Sequence, residues 1–392
     1  MVSPHFDFVS AAAATCGYNL VLMKNEDQNV MDMGMKYVNN DACIPAMIVT
    51  GQIMDAVLSG KYDTDHLAVM MVQTGGGCRA SNYVGFIRKA LAEAGYGHIP
   101  VVSLNLNGME KNPGFSLTPK LLVKAVQALL YGDLLMKLTC RVRPYELEAG
   151  SVNRLYDKWH RKCEDEMSRG SMGMKRFYDN CRAMIKEFDA VAIDETKKKP
   201  RVGIVGEVLV KFMPMANNHL AETLEKEGAE VAVPDMVEFL KYCIWNSVYK
   251  HRYLGKPKKS AMIAEAGLTI VDKIQEPVFK ALDASKRFAR PAKLEDVREH
   301  ASEIIQIGNQ CGEGWYLAGE IADLVTSGVP NVVCVQPFGC LPNHVVGKGI
   351  IKKVKHIYPQ SNIVAVDYDP SASKVNQINR IRLMLETARE KL

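Results

Sequence analysis

The chain has 392 residues, 47% of them apolar and 24% charged, with a formal net charge of +5. These values exclude a disordered chain and, at this length, lead us to expect two or three domains of ordinary size. The charge excess is small and its basic residues are interspersed with acidic ones, so a nucleic-acid surface is not expected. With no run of roughly 18 apolar residues, neither is a membrane span.

Residues 1–7, Met1-Val2-Ser3-Pro4-His5-Phe6-Asp7, lack the basic and apolar regions of a signal peptide, and a cytoplasmic location is the expectation. Residues 18–23 read as a strand and 45–59 as a helix with Pro45 in its first turn. The continuous apolar run 67–72 suits a strand buried on both faces of a parallel sheet. In 81–94, Val84, Ile87, Leu91 and Ala94 recur at helical spacing and Gly95 closes the helix. A strand at 99–104 and a long helix at 120–139 complete an alternating βα pattern, which predicts a parallel sheet with helices on its faces.

From 146 to 189 the sequence turns charged and helix-prone, a helical connection or lid, and Lys197-Lys198-Lys199 reads as a solvated linker. A second α/β unit opens with a strand at 201–205. It continues with a helix at 218–227, a strand at 230–233, and helices from 236 to 306 interrupted near Gly255-Lys256-Pro257 and Arg290-Pro291. A helix at 315–326, a strand at 331–335, a helix at 344–356, a strand at 363–367 and a helix from 373 end the chain. The expected architecture is α/β: two Rossmann-like, flavodoxin-like parallel-sheet domains, 1–145 and 201–392, joined by a helical segment, 146–200.

Ten cysteines are present, and none forms a C-x-x-C pair, which argues against zinc ribbons and thioredoxin-type redox pairs. Three of them stand where a predicted strand gives way to a helix: Cys43 in Asn39-Asn40-Asp41-Ala42-Cys43-Ile44-Pro45, Cys78 in Gln73-Thr74-Gly75-Gly76-Gly77-Cys78-Arg79, and Cys340 in Gln336-Pro337-Phe338-Gly339-Cys340-Leu341-Pro342. Ligands of open α/β sheets collect at such junctions, and a thiolate there is expected to be activated by unpaired N–H groups and the helix dipole. The plain alternative for each is a packed cysteine in a tight turn. The glycine turn lacks the Gly-Lys-Ser/Thr of a P-loop and the spacing of a dinucleotide fingerprint, leaving an anion- or cluster-binding nest. Cys140, Cys163, Cys181 and Cys243 fall in helical sequence and Cys334 in a strand; Cys16 and Cys311 stay open as site candidates. His344 reads as a first-turn helix residue, and Asp367-Tyr368-Asp369-Pro370 as a turn and cap.

Together, the segments 73–83 and 336–344 resemble the 2-hydroxyglutaryl-CoA dehydratase / benzoyl-CoA reductase family. The likeness is nearest to the C-terminal region of the large acyl-CoA dehydratase activase-related proteins. Segments 37–46, 129–135 and 312–317 carry it further, and it runs over nearly the whole chain. The resemblance implies a 4Fe–4S cluster on Cys43, Cys78 and Cys340, with a fourth iron ligand that is not cysteine. It also implies an oxygen-sensitive electron-transfer protein. An ATP-hydrolysing iron–sulfur activator would donate a low-potential electron, and a CoA thioester would receive it, either losing water through a ketyl radical or being reduced as an aromatic thioester.

The large proteins carry actin-like ATPase domains upstream, which this sequence does not show; it reads as a stand-alone homologue, one subunit or a fragment, with the activator expected in trans or fused in a parent protein. Characterised dehydratases use two related subunits, and a dimer is among the expected states. Two alternatives stand beside this reading: a non-catalytic α/β binding module that kept the fold without the cluster, and a double-cubane reductase recruiting Cys16 or Cys311.

Overall fold

The computed structural model describes residues 4–39, 41–74, 76–105, 110, 112, 114–170, 173–370 and 372–392; of the segments quoted above, Met1, Val2, Ser3, Asn40 and Gly75 lie outside them. The chain opens with α1 (His5–Ala14), α2 (Gln28–Tyr37), α3 (Ile44–Leu58), β1 (Val69–Val72), α4 (Tyr83–Glu93), β2 (Val101–Leu104) and α5 (Pro119–Val142). Two more helices follow, α6 (Ser151–Met167) and α7 (Met174–Asp189). Then come β3 (Arg201–Gly206), α8 (Val208–Phe212), α9 (Leu220–Lys226), β4 (Glu230–Ala232), α10 (Met236–Leu254), α11 (Lys258–Asp283) and α12 (Leu294–Ile304). The last elements are α13 (Gly314–Thr326), β5 (Asn331–Pro337), α14 (Leu341–Val346), α15 (Ile351–Ile357), β6 (Asn362–Tyr368) and α16 (Lys374–Arg389).

The architecture is mixed α/β with two parallel sheets. β1 pairs with β2 from Val69↔Val101 to Val72↔Leu104, and the larger sheet has the order β4-β3-β5-β6. β5 is buried along its whole length, as its unbroken apolar run Val332–Val335 requires of a central parallel strand.

Two expectations need correction. Residues 18–23 are not a strand: Val21 is 58% exposed, and the segment is held instead by side chains, with Ser10 donating to the Leu20 carbonyl and Ser116 N–H to the Tyr18 hydroxyl. Two short helices, α14 and α15, replace the single helix at 344–356, because Gly347 and Gly349 interrupt it. The charged segment from 146 to 189 is helical, as α6 and α7, and well packed. Its Trp159, Phe177 and Phe188 are fully buried with Phe8 of α1, Leu134 and Leu138 of α5 and Val278 of α11 in the largest apolar core.

Two features tie the halves together. Asp133 on α5, inside the Tyr131-Gly132-Asp133 motif, accepts from Met236 N–H (2.7 Å) and Val237 N–H (3.0 Å) at the start of α10, and lies 2.9 Å from His5 Nε2. Gly132 is obligatory here, since a Cβ would lie 2.4 Å from the His5 ring. The second feature is α3, which is mostly apolar and is buried at every residue from Ile44 to Met54. Met47, Ile53, Met54 and Val57 pack with α4 and the small sheet, whereas Ile44 and Ile48 pack with Val333, Val335 and Val366 of the large one. A helix apolar all round is stable only when enclosed in this way.

Replacing Ile48, which has no exposure, by alanine removes side-chain contact with the large sheet and leaves a cavity. The expected loss is about 2–5 kcal/mol, read as a lowered urea midpoint with unchanged slope.

Candidate functional site

The large sheet reverses its winding between β3 and β5: from β3 the chain crosses to β4 on one side, then returns to β5 on the other. Crevices outside the carboxyl ends of strands at such a reversal are where ligands sit in open α/β sheets. Glu207 follows β3 there, and Cys340 follows β5. The carboxyl end of β1 leads to Cys78, and the start of α3 brings Cys43.

All three cysteines occupy the position just before a helical turn, Cys43 and Cys78 in extended backbone (φ, ψ of −67°, 148° and −129°, 151°) and Cys340 at −90°, 90°. Each has a backbone N–H of its own turn directed towards the sulfur, from Ala46, Ala80 and Asn343, though none closes a regular capping hydrogen bond. The three loops touch. Arg79 Nη1 donates to the Gly339 carbonyl, and a Cβ on Gly339 would stand 3.2 and 3.3 Å from the carbonyls of Asp41 and Ala42. Segments about 35, 260 and 300 residues apart in sequence thus form one pocket, with Cys43 and Cys340 buried and Cys78 half-buried.

Four further side chains complete it. The Tyr83 hydroxyl lies 3.4 Å from Cys43 Sγ. Asn343 Nδ2 donates to Cys340 Sγ (3.3 Å) and to Glu313 Oε2 (2.7 Å), while Glu313 Oε1 accepts from Val208 N–H (3.1 Å). Glu207 Oε2 accepts from Val210 N–H (2.8 Å), capping α8. Below them, the buried pair Lys211 Nζ–Glu320 Oε1 (2.8 Å) pins α8 to α13, and so fixes Glu207 relative to Glu313. Phe338 and Leu341, at 49% and 70% exposure, give the Cys340 loop an apolar rim.

The electrostatics correct one expectation. Burial pushes the Cys78 thiol up to about 12, helped by the Glu313 charge, by Cys43 and by Glu207. Burial likewise raises Cys340, with Glu313 and Glu207 adding to it, and raises Cys43 against the opposing Tyr83 hydrogen bond. The free thiols are therefore protonated at neutral pH, not activated thiolates. Desolvation outweighs the helix dipole even for Cys43, which stands before the 15-residue α3. Desolvation and the neighbouring Glu313 charge push Glu207 up to about 8, and burial raises Glu313 as well.

The remaining cysteines divide cleanly. Cys140, Cys163 and Cys181 are buried among helices, Cys334 lies inside β5, and Cys243 is on α10. Cys16 sits at the end of α1 beside Thr15. Cys311 is exposed on the loop before α13, next to the Cys78 loop. His344 contacts Gln336 rather than the sulfurs. A cavity of about 610 Å³, lined by Lys137, Glu230, Asp235, Tyr316 and Glu320, lies away from the three cysteines and includes none of them.

Sequence reasoning missed Tyr83, Asn343, Glu207 and Glu313 as site residues. Tyr83 and Asn343 stood within the quoted motifs, and Glu207 carried a usable signal as an acidic residue directly after a buried strand. Among the described residues no group of three or more His, Cys, Asp or Glu side chains is arranged to hold a metal ion. No protein-family model, no curated protein and no solved structure matches the chain.

In the metal-free protein, iodoacetamide at pH 8 is expected to modify exposed Cys311 well before Cys43, Cys78 and Cys340. Because Cys78 titrates near 12, its alkylation rate should climb about tenfold per pH unit from 8 to 10, as peptide mass spectrometry of timed samples would register.

Proposed function

We propose that Cys43, Cys78 and Cys340 hold a 4Fe–4S cluster in an iron–sulfur protein of the 2-hydroxyacyl-CoA dehydratase type. In this reading the chain accepts a low-potential electron from an ATP-hydrolysing iron–sulfur activator and passes it to an acyl-CoA or related substrate. Two Rossmann-like, flavodoxin-like units, one on the β1–β2 sheet and one on the β3–β6 sheet, belong to the same proposal, as do the subunit partnership and the cytoplasmic location.

The observation that carries it is the convergence of three cysteines, each from a separate loop and each just before a helical turn, near the winding reversal of the large sheet. The donor set suits the group. Thiolates are soft donors that select iron–sulfur clusters, zinc or copper(I), and each sulfur here has a backbone N–H nearby. A single tetrahedral ion needs all its ligands around one centre, at about 2.3 Å for sulfur. A four-iron cluster places each thiolate on a different iron, so three cysteines on three separate loops can serve it without meeting at one centre.

A bound cluster would supply one-electron transfer and, with three cysteines, an iron whose remaining position can exchange. The chain's own residues do the rest. Asn343 and Tyr83 place hydrogen-bonding groups against two of the ligand sulfurs, the kind of contact that tunes cluster potential. Burial keeps bulk water from Cys43 and Cys340. The raised thiol pKa values mean that loading must expel protons, so uptake should strengthen as pH rises from 7 to 9.

Anaerobic reconstitution with iron and sulfide should yield a brown protein with about four irons per chain and a paramagnetic signal after dithionite reduction. Cys43→Ser, Cys78→Ser and Cys340→Ser should each lose most of the iron while keeping the far-UV circular dichroism of the parent. A wild-type chain with intact thiols that takes up neither iron nor sulfide rules the proposal out, and an iron count near eight would move it to a double-cubane cluster.

A further inference from the structure

A fourth loop reaches the same pocket. Cys311-Gly312 lies crosswise along Gly77-Cys78: a Cβ built on Gly77 would stand 2.7 Å from Cys311 Sγ, and one built on Gly312 would stand 4.0 Å from Cys78 Sγ. Each glycine leaves open the space that faces the other loop's sulfur. Gly312, at φ +60°, also packs against Pro342, since a Cβ there would be 3.0 Å from the Pro342 Cβ; the Cys311 loop therefore touches the segment after Cys340 as well. The next residue, Glu313, is clamped by Asn343 and by Val208 N–H, which fixes the loop in place. Cys311 differs from Cys43, Cys78 and Cys340 in one respect: it is exposed. Cys16, the other cysteine left open by the sequence, is held at the end of α1 by Thr15 and has no part in this arrangement.

We propose that Cys311 is a fourth, exchangeable thiolate ligand that closes the iron position left open by the three inner cysteines. The inference rests on the cluster reading above. Cys311 would hold the fourth iron as a thiolate, its proton passing to solvent and a bound water leaving, with no change in oxidation state. A substrate oxygen taking that position would release the Cys311 sulfur, which would regain a proton from solvent. Cys311 would thus serve as a gate on the one position that the three inner cysteines leave open.

The test compares wild type, Cys311→Ser and Gly77→Ala, each reconstituted anaerobically. Gly77 does not have a left-handed backbone, so alanine there pushes the Cys311 sulfur away without backbone strain. All three should hold the same amount of iron, and dithionite-reduced samples are titrated with cyanide while the paramagnetic spectrum is followed. Both variants should respond at cyanide concentrations about tenfold or more below wild type, a difference of about 1.4 kcal/mol. Equal midpoints overturn the gate while leaving the cluster standing. Absence of a cluster from wild type overturns the cluster reading and the gate with it. In iron-free protein a short bifunctional thiol-alkylating crosslinker, applied at pH 10 where Cys78 alkylates fastest, should join Cys311 to Cys78, and its failure to do so, with each thiol singly alkylated under the same conditions, overturns the placement itself.

Discussion

The enclosure of α3 is the constraint on which the rest depends. An apolar helix of this kind cannot face water, and here it is wedged between the small sheet and the large one, with Met47 and Met54 on one side and Ile44 and Ile48 on the other. Its first turn must then begin at the carboxyl ends of the strands, and Cys43 sits at that beginning. The same wedge holds the Cys340 loop against the backbone of Asp41 and Ala42. Packing, not any attraction between thiols, brings the sulfurs together.

Once assembled, the pocket is electrostatically tense. Two carboxyl groups, Glu207 and Glu313, face thiols whose own charging burial opposes, and Arg79 beside the loops donates to the Gly339 carbonyl. Lys211 lies deeper and is committed to Glu320. Such an arrangement is stable while its groups stay protonated. The same charge pattern disfavours a free nucleophilic cysteine.

Much of the fold was legible in the sequence because its central elements are strongly patterned. The uninterrupted run in β5, the periodic face of α4 and the glycine stops after α4 and α9 each encode one element with little competition. The helix α2 was not legible: it is short and polar, and its N-terminal signal, Asp27 accepting from Val30 N–H, is one that loops share. The apparent strand at 18–23 failed for the opposite reason, an apolar composition with no neighbouring strand to receive its hydrogen bonds. At the site, the three cysteines were legible through their repeated placement before helices. The carboxyl groups were not, since Glu207 and Glu313 gain their importance only from a tertiary packing that brings residues 100 positions apart to one point.

The same geometry makes the account open to a direct structural test. Iron K-edge X-ray absorption on anaerobically reconstituted protein reads the atoms around iron without relying on turnover. The account predicts a first shell dominated by sulfur together with iron–iron scattering, both abolished when Cys43, Cys78 and Cys340 are replaced together by serine. A shell of oxygen and nitrogen alone, without iron–iron scattering, or an unchanged spectrum in the triple variant, would contradict it.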